Sequence, residues 1–210
     1  MYPTAEVRWF YPGPIPPQVA TWFNHESVTL KREPVRVDRY LRPSGFGDVN
    51  VKLREGRIEV KRRVGESNRI RFHPRVTGVV ERWRKWSFEL TQQGTADNWA
   101  SLPVSSWIPV RKNRSLRTYE VTDGEVLVAR SALEAPADGC ELELTRIVAF
   151  EQVWWTLAFE AFGDEDTLRD NLRLVATHVL GTDEPPRLDV GQSQGYAAWL
   201  IDLLETEAQP

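Results

Sequence analysis

The chain has 210 residues, one Cys and three scattered His, with 41% hydrophobic and 27% charged residues. This describes a single globular domain and excludes a disordered chain, an internal disulfide and a Cys-based metal site, while the His spacing argues against zinc. The formal net charge of -3 hides a division: residues 31–90 carry 17 Lys and Arg against 8 Asp and Glu, whereas residues from 120 onward carry 5 against 19. A basic segment in an acidic chain points to a localised anion site rather than to a general nucleic-acid surface. Nine Trp offer either large buried areas or stacking surfaces. The start MYPTAEVRWF is not a basic leader with an apolar run, and no stretch approaches the ~18 apolar residues of a membrane span, so the expected location is the cytoplasm and no membrane partner is expected.

In chain order, residues 6–11 (EVRWFY) read as a first strand, which the prolines of PGPIPP end, starting a short helix over about 16–24. Strand-like segments follow at 34–41, 48–54, 57–64 and 78–90, with Glu55-Gly56 as a tight hairpin connection. Residues 91–106 read as a loop, and strands resume at 107–121, 125–130, 140–150 and 152–162. The period then changes. Asp164, Glu165 and Asp166 favour a helix start, and Leu168, Leu172, Val175 and Val179 recur at helical spacing up to Gly181 as a C-cap. The turn DEPPRLDVG leads to a last helix with an apolar face of Tyr196, Trp199, Leu200, Leu203 and Leu204; the two helices are expected at about 164–181 and 192–206. With no repeat and no sharp change in composition, residues 1–210 read as one domain.

Residues two apart in a strand share a face. Asn50, Lys52 and Arg54 therefore lie together, as do Arg57, Glu59, Lys61 and Arg63. Glu81, Trp83 and Lys85 share a face, Lys112 and Arg114 share one with Ile108 and Val110, and Glu141, Glu143 and Thr145 oppose Leu142 and Leu144. An antiparallel sheet with one solvated face accounts for such alternation. A closed barrel with a polar lumen also accounts for the few helices available as cover and for the sorting of charge by strand. The expected class is α+β, mainly antiparallel β, as an eight-stranded closed or nearly closed tunnel-like barrel with a few flanking helices.

At these residues the chain resembles the CYTH superfamily, the triphosphate tunnel metalloenzymes, as a divergent member. The family has an ExExK motif on its first strand, basic pairs on central strands, a later KxR and a closing ExE. Here Thr4 stands at the first Glu, Glu6 matches the second and Arg8 replaces the Lys. Lys52 and Arg54, then Glu59, Lys61 and Arg63, fall on the basic strands; Lys112 and Arg114 match KxR, and Glu141 and Glu143 match ExE. The resemblance spans residues 4–143 through short motifs in the family's order. It implies a triphosphate or short polyphosphate held by Arg8, Lys52, Arg54, Lys61, Arg63, Lys85, Lys112 and Arg114. It also implies that Glu6, Glu141 and Glu143 act in catalysis by holding Mg²⁺ or Mn²⁺, hard cations that bridge phosphate oxygens. Thr4 removes one carboxylate from that set, and the Asp that usually precedes the ExE has no clear match.

Two function classes follow, a metal-dependent phosphohydrolase (a triphosphatase) and a non-catalytic phosphate-binding module on the same scaffold. A third is a protein-interaction domain using Trp154, Trp155 and Trp199 as a surface. The run RRVGESNRIRFHPR offers a nucleic-acid loop with Phe72 as a stacking base, which the acidic remainder of the chain disfavours. No Walker loop, GxGxxG or GxSxG is present, which disfavours the usual nucleotide folds and serine hydrolases.

Overall fold

The structure is a computed structural model that describes residues 1–25, 30–43, 47–90, 103–128, 136–182 and 184–207. Its strands are β1 (Tyr2–Pro12), β2 (Lys31–Arg32), β3 (Arg36–Leu41), β4 (Val49–Arg54), β5 (Arg57–Arg63), β6 (Asn68–His73), β7 (Val76–Glu89), β8 (Trp107–Thr122), β9 (Glu125–Val128), β10 (Gly139–Ala149) and β11 (Gln152–Phe162). Helices α1 (Pro17–His25), α2 (Leu168–Thr182) and α3 (Tyr196–Glu207) complete it. Eight antiparallel strands close into a barrel in the order β1-β11-β10-β8-β3-β4-β5-β7, with β7 returning to β1; β2 and β9 add to β8, and β6 adds to β7.

Closure turns the alternation of each strand into an inside and an outside. Ala5, Val7 and Trp9 of β1, Leu142 and Leu144 of β10, and Leu157 and Phe159 of β11 project outward into the main core. There α1 covers them with Val19 and Phe23, and α2 with Leu168, Leu172, Val175 and Val179. The helical spacing seen in the sequence is thus the stripe that α2 lays on the barrel. The inner face carries Thr4, Glu6 and Arg8 of β1 and their counterparts on the other strands.

One end of the interior is apolar. Phe10, Tyr40, Ile108, Val110, Ile147 and Ala149 form a second cluster with Trp199, Leu200 and Leu203 of α3. Phe10 stacks on Trp199 with centroids 4.7 Å apart, and Tyr40 stacks on Tyr196 at 5.5 Å. The segment leading to α3 arrives through the barrel wall. β1 and β7 pair over Tyr2–Val7, and where they part, Ser193 bridges Trp9 while the Gln194 N–H donates to the Arg8 carbonyl at 3.0 Å. Ser193 Oγ accepts from the Val79 N–H at 2.8 Å, tying the segment to both strands. A Cβ at Gly195 would lie 2.8 Å from Glu81 Oε2 and 3.0 Å from the Trp83 ring, so the passage admits only glycine without displacement.

Several expectations need correction. The run around Phe72 is β6, not a loop, and Phe72 is buried in the core with its ring edge-on to Trp9 at 6.4 Å. Its Arg and Asn lie on exposed positions, which masks the strand in the sequence. Trp155 and Trp199 are buried and Trp154 packs against the second cluster, so these three do not form a surface. The helices begin later than expected, at Leu168 and Tyr196. Asp164 opens a turn, its carboxylate accepting from the Asp166 N–H and its carbonyl from the Thr167 N–H. Gly181 lies within α2 rather than beyond it. Of the expected loop at 91–106 and strand at 125–130, residues 91–102 and 129–130 lie outside the described residues. Among the described residues no helix is long and apolar enough to cross a membrane.

Candidate functional site

Above the aromatic floor lies a cavity of about 340 Å³, within the usual size of a small-molecule site. Eight cations line it, Arg8, Arg36, Lys52, Arg54, Lys61, Lys85, Lys112 and Arg114, with five carboxylates, Glu6, Glu59, Glu141, Glu143 and Glu160. Of the residues expected from the sequence, Arg63 alone does not line it. Its guanidinium binds Glu81 at 2.8 Å.

The charges are shared rather than paired off. Glu143 accepts from Arg8 at 2.7 Å, from Arg114 at 2.5 Å and from the Thr145 hydroxyl at 2.7 Å. Glu6 accepts from Arg8 at 2.5 Å and Lys61 at 3.2 Å, and Lys61 also reaches Glu160 at 2.7 Å. Glu59 holds Lys52 at 2.8 Å and Lys85 at 3.3 Å. Asp38, fully buried behind the cavity wall, holds Lys112 and Arg36, each at 3.1 Å, while Glu33 takes Arg36 and Arg114. Five carboxylates thus each serve two cations.

Lys112 sits deepest of the lysines in aromatic surroundings. It donates to the Tyr40 hydroxyl at 2.5 Å and lies 3.7 Å from the Tyr196 ring centroid. Burial, with Lys52 and Arg114 nearby, holds its ammonium well below the usual lysine range despite Asp38. Lys52 is likewise lowered by burial, against the pull of Glu59 and Asp38. Burial opposes the charge of Glu143 too, yet Arg114 and Arg8 overcome it and hold the carboxyl well below its ordinary value. Glu141 behaves oppositely. Burial and the neighbouring Glu160 raise it, and among the described residues no cation stands within ion-pairing distance of it.

These contacts bear on the expected metal ligands. The oxygens of Glu6 and Glu143 are already taken by Arg8, Lys61 and Arg114. Among the described residues no group of three or more His, Cys, Asp and Glu is disposed to hold an ion. Glu6, Glu141 and Glu143 as arranged therefore do not fit Mg²⁺ or Mn²⁺. Sequence reading missed Glu160, Arg36, Asp38, Glu33, Tyr40 and Tyr196. Glu160 stands as a single charge in an apolar strand and Tyr196 is borne by a helix, so neither carried a periodic signal.

No family model matches this chain, and no curated protein matches it. Among solved structures it is similar to the PH1819 protein from Pyrococcus horikoshii OT3, at 10% identity over 96% of this chain and 99% of that one, with a TM-score of 0.48.

Proposed function

We propose that this protein is a binding module for a small oligoanion of the triphosphate or short polyphosphate class, held inside the barrel. The observation that carries the reading is the sorting of charge around the cavity. Seven lining cations, Arg36, Lys52, Arg54, Lys61, Lys85, Lys112 and Arg114, come from β3, β4, β5, β7 and β8, whereas Glu59 is the one lining carboxylate on those strands among the described residues, so this wall is positive. Among the described residues Arg54 pairs with the exposed Glu55 alone, at 3.4 Å, a pair worth little in water. A phosphate chain would accept from Arg54 as a fork and from Lys52 and Lys85 as point charges. Enclosing such an anion removes its hydration, which several placed cations offset. The pairing already present keeps those side chains in position before the ligand arrives.

Hydrolysis is the second reading, favoured by Glu141, a cavity carboxyl with a raised proton affinity and, among the described residues, no ion-pair partner. Such a group is suited to proton transfer. Calorimetry with tripolyphosphate in EDTA tests the first reading, and a phosphate-release assay with and without Mg²⁺ or Mn²⁺ tests the second. Micromolar binding without turnover is the expected result. No heat with tripolyphosphate would sink the binding reading.

A further inference from the structure

The outside of the barrel has a charge pattern of its own. On β10, β8, β3, β4 and β5 the side chains between the lumen-facing ones point outward, and register sets their order. Arg146 lies opposite Asn113, and Arg111, two positions nearer the floor, lies opposite Val37. Two positions further down, Arg39 lies opposite Leu53; Val51 follows on β4 and Arg62 on β5 by the same step. Each residue of this line is thus the diagonal neighbour of the one before, about 7–8 Å away. In a closed barrel with tilted strands such a diagonal runs round the outside as a belt.

The four arginines of the belt are exposed, and among the described residues none meets a carboxylate. Nor does an Asp or Glu occupy an outward position on these five strands. Apolar rows flank the belt on both sides. Toward the mouth stand Val37, Leu53 and Val60, and toward the floor Val148, Pro109, Leu41 and Val49. Val37 and Val49 are 46% and 41% exposed. Helices α1 and α2 lie instead over β1, β11 and the other end of β10. Like charges lined up without counter-charge raise the local potential and favour an anionic partner.

We infer that this face docks an acidic segment of a partner protein, bound in extended form along the belt. An extended chain sets alternate side chains roughly 7 Å apart on one face, which matches the step between arginines. Carboxylates at alternate positions then meet successive guanidinium forks. The flanking valines support the arginine stems and keep water from the ion pairs. Aliphatic rows offer no ring on which a nucleic-acid base could stack. A belt that curves round a barrel presents only part of its charge to a flat bilayer. The face lies outside the cavity, so the inference does not rest on the oligoanion reading.

Fluorescence anisotropy tests this with a labelled peptide alternating Glu and Thr, beside its Gln–Thr counterpart and an oligothymidylate of equal charge; sedimentation with phosphatidylserine vesicles tests the bilayer. The Glu–Thr peptide is expected to bind about tenfold or more tighter than either of the other two, and the protein to stay in the supernatant. Arg39→Gln with Arg111→Gln should weaken that binding by about tenfold. Arg62→Gln with Arg146→Gln should act the same way and serves if the first pair fails to fold. Equal affinity for the Glu and Gln peptides would overturn the inference. So would tighter binding of the oligothymidylate, which would make the belt a nucleic-acid track, or pelleting with the vesicles. Loss of peptide binding in Lys85→Gln, with both outer pairs unaffected, would place the peptide in the lumen and overturn it too.

Discussion

Arg8 reaches Glu143 across an intervening strand, with Nη1 2.7 Å from Oε1. The strand between them is β11, and the residue opposite both is Ala158. The pair therefore bridges over a methyl group, and the smallness of Ala158 is what lets two strands that do not touch exchange a buried charge. A larger side chain there would stand in the path of the guanidinium. Ala158→Leu is expected to destabilise the fold by about 1–3 kcal/mol through overpacking, and by more if the ion pair opens. Urea unfolding beside Ala158→Gly, which clears the path, measures it; equal stability of the Leu variant and wild type would contradict the bridge.

Removing the carboxylate is costlier than crowding it. Glu143→Ala strands Arg8 and Arg114 in a buried site and should cost about 3–5 kcal/mol. If the variant folds, its unanswered cations should bind tripolyphosphate more tightly than wild type. Weaker binding would mean that Glu143 orients the cations rather than competing for them.

Lys85 lies on the basic wall, and its partner Glu59 keeps Lys52 when Lys85 is removed. Lys85→Gln should weaken tripolyphosphate binding by about tenfold, the loss of one charge-assisted bond, with little change in melting temperature. An unchanged affinity would place the anion elsewhere.

Two glutamates should respond to pH in opposite senses. Burial opposes the charge of Glu59, but Lys52 and Lys85 hold its carboxyl down at about 2. Its stabilisation is therefore complete above the ordinary 4.5 and is lost as pH falls toward about 2. Glu141 is raised above 4.5, so its penalty is absent in acid and grows as pH rises through and past that value. Glu141→Gln should consequently raise the melting temperature at pH 7, by about 2–4 °C, and have no effect at pH 3.5. Melting curves at the two pH values decide it, and a gain that persists in acid would assign the effect to something other than charge.

The β10–β11 turn offers a prediction away from the cavity. Phe150 and Glu151 both have positive φ, 48° and 62°, in a two-residue connection that favours Asn or Gly. Phe150 packs against the floor cluster, which explains its retention, while Glu151 is exposed. Glu151→Gly should stabilise the fold by about 0.5–1 kcal/mol, and thermal unfolding would show it.

The lumen was legible because β-strand alternation is strict: Lys52 and Arg54, or Glu141 and Glu143, cannot be divided between faces. Alternation tells inside from outside but not one end of a barrel from the other. Phe10 therefore gave no sign that it lies in line with Arg8 and Glu6 as part of an apolar floor. Glu160 was hidden as a single charge in an apolar strand, whose outward side chains lie under helices. Nor could spacing show which carboxylate meets which cation. Glu143 becomes an anchor for two arginines only through the register of β1, β11 and β8. Tyr196 reaches the cavity because Ser193 and Gln194 thread the seam between β1 and β7, a tertiary event with no local periodicity.

That seam also orders the assembly of the chain in time. Arg8 and Trp9 leave the ribosome long before their backbone partners Gln194 and Ser193, which lie far downstream in the chain. At about 5–20 residues per second, β1 waits on the order of ten seconds or more for the segment that completes its edge. Until then neither the barrel nor its floor exists, so no ligand can help to template the cavity. Folding dominated by contacts this distant in sequence is slow. The waiting β1, with unpaired N–H and C=O groups along both edges, is the part of the nascent chain most open to pairing with the wrong strand, including that of a neighbouring copy.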